Sequence, residues 1–175
     1  MKKIYTFFVM AIGIIALQSC TKEEIIQNNN IEVQVIELTN VNFTPSANAE
    51  NNYSKFFDFD PAILDNDMVL VYLLDSVSNN ADIWRPLPQV YYLTDNLGPY
   101  EVRYGFDFTR FDVRLFMTSD DWSAVSNAYT QNQVFRIVIL PGYRARSASS
   151  VDFNDFNAVV KAYNIDLSKM KKVSM

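Results

Sequence analysis

The chain has 175 residues, with 15 lysines and arginines against 20 aspartates and glutamates, a formal net charge of −5 and no histidine. That acidic balance argues against nucleic acid and against electrostatic attachment to anionic lipid. The lack of histidine removes the usual serine and cysteine triads, histidine-bearing zinc sites and histidine general bases. One cysteine allows no disulfide within the chain, so stability has to come from packing.

Residues 1–19 read as an export signal. Lys2 and Lys3 are the positive start, and an apolar run over 4–17 follows, broken only by Thr6 and Gly13. It is too short to span a bilayer comfortably but suits a signal segment. Ser19 supplies a small residue directly before Cys20. The block Leu17-Gln18-Ser19-Cys20 resembles a bacterial lipoprotein signal. The resemblance implies cleavage before Cys20, a diacylglycerol on its sulfur and an acylated new amino terminus. Each buried methylene contributes about 0.8 kcal/mol, so several acyl chains hold a protein to a membrane without a transmembrane helix.

Thr21-Lys22-Glu23-Glu24 is similar to the surface-export signal of Bacteroidota lipoproteins, with Lys22, Glu23 and Glu24 as its residues. That similarity implies the outer leaflet of the cell outer membrane, facing outward. Residues 20–30 then form a lipidated tether, and an extended decapeptide reaches at most about 35 Å, which keeps the domain near the membrane. The remainder, 31–175, reads as one β-rich domain.

Ile31, Val33 and Val35 alternate with Glu32 and Gln34, the pattern of a half-buried strand, and the phase slips at Ile36 and Leu38, as a bulge would produce. Residues 44–52 form a polar loop. Tyr53, Phe57 and Phe59 share one parity before Pro61, and 68–74 is an apolar run short enough for a strand buried on both faces. Residues 75–82 read as a loop. In 83–93, Pro86 and Pro88 remove two donors on one side, which predicts an edge or a bulge.

Residues 100–109 alternate most cleanly: Tyr100, Val102, Tyr104, Phe106 and Phe108 against Glu101, Arg103, Gly105, Asp107 and Thr109. This predicts an antiparallel strand with one wet face, paired with 83–93 as a hairpin. Strands over 112–117 and 133–140 follow, with a helical turn in 119–129 and a loop over 143–150. A helix is expected over 152–163, with Asp152 as N-cap, a stripe of Phe153, Phe156, Val159, Val160 and Tyr163, and Asn164 as left-handed cap. The basic tail of Lys169, Lys171 and Lys172 holds a last short strand. The fold class is mainly β: an antiparallel β-sandwich or partly closed barrel of about seven strands, with one C-terminal α-helix packed against it.

The close carboxylate pairs are Asp58 with Asp60, Asp65 with Asp67, and Asp120 with Asp121. Two such groups facing across a cleft would serve a calcium- or carboxylate-dependent glycan hydrolase, but their positions favour strand ends and turns, where Asp is common for local reasons. No catalytic residue, metal site or cofactor is predicted, and the protein is not expected to be an enzyme. Trp84, Arg85, Tyr91, Tyr92 and Trp122 are candidate ligand-binding residues, because exposed rings can stack on sugars; the same rings at strand period also suit a core. Asp75-Ser76-Val77 resembles the O-glycosylation signal of exported Bacteroidota proteins, which implies a glycan on Ser76. The stretches 84–89 and 132–138 are similar to small uncharacterised Bacteroidota lipoproteins, a likeness that implies a shared fold and location and no known activity. The expected role is a surface-anchored binding or structural module that recognises a glycan or an envelope protein.

Overall fold

The computed structural model describes residues 32–45, 53–147 and 151–175. Cys20, Lys22, Glu23 and Glu24 lie outside them. Among the described residues there are nine strands: β1 (Gln34–Val41), β2 (Ser54–Asp58), β3 (Met68–Ser78), β4 (Ala81–Pro86), β5 (Gln89–Thr94), β6 (Pro99–Phe108), β7 (Asp112–Ser119), β8 (Gln133–Leu140) and β9 (Lys171–Ser174). The helices are α1 (Asn127–Thr130), α2 (Gly142–Ser147) and α3 (Phe156–Tyr163).

Two sheets form a sandwich with no closed barrel. The first has the order β4-β3-β8-β1-β9 and the second β2-β7-β6-β5. Ile36 and Leu38 of β1, Val71 of β3 and Ile137 of β8 face Val102 and Tyr104 of β6 and Leu115 of β7 in the core between the sheets. The other face of the first sheet carries a second apolar layer, in which Val35, Tyr72 and Val138 pack against Phe156, Val159 and Tyr163 of α3. The first sheet is therefore buried on both sides. This is why 68–74 and 133–140 read as continuous apolar runs, whereas β6, in the second sheet, alternates.

The predicted strand over 83–93 is two strands in different sheets. At Leu87 the chain leaves the first sheet for the second, and the buried Leu87 donates its N–H to the Val71 carbonyl at 2.9 Å. Both resulting strands lie at sheet edges, as missing proline donors require. The hairpin partner of β6 is β5 alone, from Gln89↔Tyr104 to Thr94↔Pro99. This split, together with β9, accounts for nine strands rather than about seven.

Residues 75–82 are not a loop. β3 runs on to Ser78, and Asn79 and Asn80, at φ 51° and 60°, make a two-residue turn into β4. Positive φ at both central residues gives the turn a twist that matches its flanking strands, and asparagine tolerates it. A bulge between Leu74 and Ser76 shifts the register of that hairpin. In β1 the bulge falls later than the phase slip suggests, between Leu38 and Val41, where Asn40 has φ 55°. The slip at Ile36 reflects burial on both faces.

Residues 143–147 also differ from the expected loop, since 142–147 are α2; the rest of that expected loop, 148–150, lies outside the described residues. α3 begins at Phe156 with Asp155 as its N-cap; Asp155 accepts from the Asn157 N–H at 2.8 Å. Asp152 instead closes the turn before it, accepting from the Asn154 N–H at 2.9 Å. The Tyr72 hydroxyl holds that turn by donating to the Phe153 carbonyl at 2.8 Å. Asn164 ends the helix in the left-handed region at φ 51°. The chain then crosses the sheet and adds β9 parallel to β1, the one parallel pair among the described residues.

Candidate functional site

The outer layer of the first sheet contains a buried charge. Glu37, on β1, is only 7 % exposed. Its carboxylate takes Arg136 at 2.8 Å and Lys172 at 3.0 Å. Burial opposes ionisation, but the hydrogen bonds from Lys172 and Arg136 outweigh it and hold the carboxyl below the ordinary range. The Arg136 guanidinium also lies 3.9 Å from the Trp84 ring centre and 4.9 Å from that of Phe156. Trp84 thus turns its face to Arg136 and also packs against the α3 layer. Arg85 does not stack; its Nε meets Asp75 at 3.3 Å.

Trp122 lies 3.5 Å from Tyr53, centre to centre, with rings nearly parallel at 9°, and packs on the core between the sheets. Trp84 and Trp122 therefore belong to different apolar layers and do not share one surface. Tyr91 faces inward, its hydroxyl donating to Asp75 at 2.7 Å and linking the two sheets. Burial is the first reason its phenol is held well above its usual range, and the Asp75 carboxylate is the second. Tyr92, one residue on, points the other way and is 78 % exposed. Ser76 is exposed on the β3–β4 hairpin beyond the end of β8 pairing, and its hydroxyl donates to Asp75 at 3.3 Å.

Several of the paired aspartates have local work. Asp67 accepts from the Leu64 N–H at 3.0 Å, Asp120 from the Glu101 N–H at 2.7 Å, and Asp121 from the Ser123 N–H and hydroxyl at 2.9 and 2.6 Å. Asp65 pairs with Arg110 at 3.1 Å. These are strand-end and turn contacts.

A cavity of about 520 Å³ lies among the described residues, within the range of ligand clefts, about 300–1,000 Å³. It runs beside residues 32–36, which lead into and begin β1, and is closed opposite by residues 163–166 and 169–171. Its apolar wall includes Val33, Ile165 and Met170, and a Glu32–Lys169 ion pair at 3.3 Å lies on its margin. The Tyr163 ring is part of the wall. Its hydroxyl is buried with no hydrogen-bond partner among the described residues, and burial pushes its pKa up. Sequence reasoning did not find this cavity, because its walls come from segments far apart in the chain. The only local cue is that Asn164 stops the helix several residues before the last strand starts.

No family model, curated protein or solved structure matches the chain.

Proposed function

We propose that this protein is a lipoprotein of the cell outer membrane, anchored through lipid on Cys20 and displayed outward, whose β domain is a non-enzymatic recognition or structural module. The observation that carries the reading is the Leu17-Gln18-Ser19-Cys20 block, directly followed by the Lys22-Glu23-Glu24 signal. Ile31–Met175 make up one compact unit. Its ligand is a glycan or another envelope protein. The exposed Tyr92 ring and the cavity beside β1 are two surfaces open to it, and Asp65, Asp67, Asp120 and Asp121 are occupied with turns and ion pairs.

The experiment is substitution of the anchor. Cys20→Ser should neither take up labelled fatty acid nor sediment with membranes, and protease added to intact cells should digest the wild-type domain. A Cys20→Ser protein that still sediments with membranes defeats the anchor. Screening against glycans and envelope proteins tests recognition, and silence in both removes that role.

A further inference from the structure

We infer that the cavity beside β1 is a slot for an extended peptide segment, which joins the first sheet by pairing with the unoccupied edge of residues 32–35. The inference deepens the protein-recognition limb of the proposed function and rests on it.

The argument starts from the ladder. β8 covers one edge of β1 from Gln34 onward. On the other edge, β9 begins only at Lys171, opposite Ile36, and pairs through Thr39↔Ser174. Before Lys171 the chain forms a single 3₁₀ turn, Leu167–Lys169, capped by Asp166, which accepts from the Ser168 N–H at 3.0 Å. That turn diverts the chain from the path a longer β9 would follow. Among the described residues no strand pairs with 32–35 on this side, and the cavity occupies the vacated path.

The direction of the main-chain groups follows from one hydrogen bond. The Thr39 carbonyl accepts from the Met175 N–H at 2.9 Å, so Thr39 presents its backbone groups to the β9 side. Alternate residues of a strand point their N–H and C=O the same way. Glu37 and Val35 therefore aim theirs to that side too, and the same alternation carried one period before β1 brings Val33 with them. The register sets the Lys171 N–H against the Val35 carbonyl, as it sets the Met175 N–H against that of Thr39, so the groups left toward the cavity are the Val35 N–H and those of Val33.

An open strand edge selects its ligand by chemistry. Only another extended main chain offers donors and acceptors at the matching repeat, and pockets for alternate side chains supply preference. Here the wall is mixed: Val33, Ile165 and Met170 are apolar, while Glu32, Arg144, Asp166, Lys169 and Lys171 bring charges of both signs. The favoured segment thus sets an apolar side chain against Val33, Ile165 and Met170 and polar ones beside the charges.

The test is selection of random heptapeptides displayed on phage against the full chain held in detergent micelles, followed by titration of the enriched peptides. Hydrogen exchange on the wild type should show new protection at the Val33 and Val35 amides when peptide is bound. Val33→Pro removes the cavity-facing donor and should weaken binding by roughly tenfold. Failure of any peptide to enrich, or binding without protection at those two amides, overturns the inference; the exchange result stands on the wild type even if Val33→Pro folds poorly. Enriched peptides that bind a folded Val33→Pro chain as tightly as the wild type also overturn it. Envelope-protein capture that persists in a folded Val33→Pro chain sinks the slot and leaves the broader reading intact, whereas its absence from the wild type defeats protein recognition itself.

Discussion

The Arg136 guanidinium carbon sits 3.9 Å from the centre of the Trp84 indole while its nitrogen holds Glu37 at 2.8 Å. One cation thereby joins β8 to the edge strand β4 on one side and to β1 on the other. Arginine suits the position because a planar guanidinium can lie over a ring and still direct its N–H groups at a carboxylate.

Removing that cation should be costly. Arg136→Ala leaves Glu37 buried with Lys172 as its remaining partner, and loss of one member of a buried pair costs about 3–5 kcal/mol. Because Lys172 stays, the expected loss is near the lower end. Arg136→Lys keeps the charge and loses the planar contact, so it should fall between the two. Urea unfolding followed by tryptophan fluorescence measures both; a loss below about 1 kcal/mol would put the network on the footing of a surface ion pair.

Acid stability should depend on Glu37. Its folded pKa is depressed, so its contribution is fully present above the unfolded value of about 4.3 and is lost as pH falls from there through the folded value. Glu37→Gln should be less stable at neutral pH and lose less on acidification through that window. Thermal melts between neutral pH and pH 3 check this, and parallel curves for the two proteins would refute it.

Gly142 should not accept a side chain. A Cβ there would lie 2.2 Å from the Asn66 carbonyl oxygen and 2.8 Å from the Asn66 Cβ, and backbone cannot yield as a flexible side chain does. Gly142→Ala should destabilise by about 1–3 kcal/mol, read from the shift in denaturation midpoint.

The candidate aromatics should separate by role. Trp122→Ala removes a stacked partner of Tyr53 and should cost about 2 kcal/mol. Tyr92→Ala touches an exposed ring and should change stability by less than about 0.5 kcal/mol. If the outer face of β5 binds glycan, only Tyr92→Ala will lose binding while keeping its melting temperature. Retained binding in that variant places the ligand elsewhere.

Much of the local structure follows from the chain alone. Alternation over 100–108 identifies a strand with one wet face; the runs 68–74 and 133–140 identify strands covered on both sides; and the spacing of Phe156, Val159 and Tyr163, with Asn164 after them, identifies the helix and its end. These signals are local because they record how a residue's own backbone period meets water. The Leu17–Cys20 and Lys22–Glu24 resemblances are local too, as short motifs must be. Partnership is different. Main-chain hydrogen bonding is generic, so nothing within 83–93 states that its halves join different sheets, and nothing near Arg136 names Trp84 as its neighbour. Only the tertiary structure decided that β9 stops short along β1 and leaves a cavity there, because that outcome depends on where the crossing helix returns the chain to the sheet.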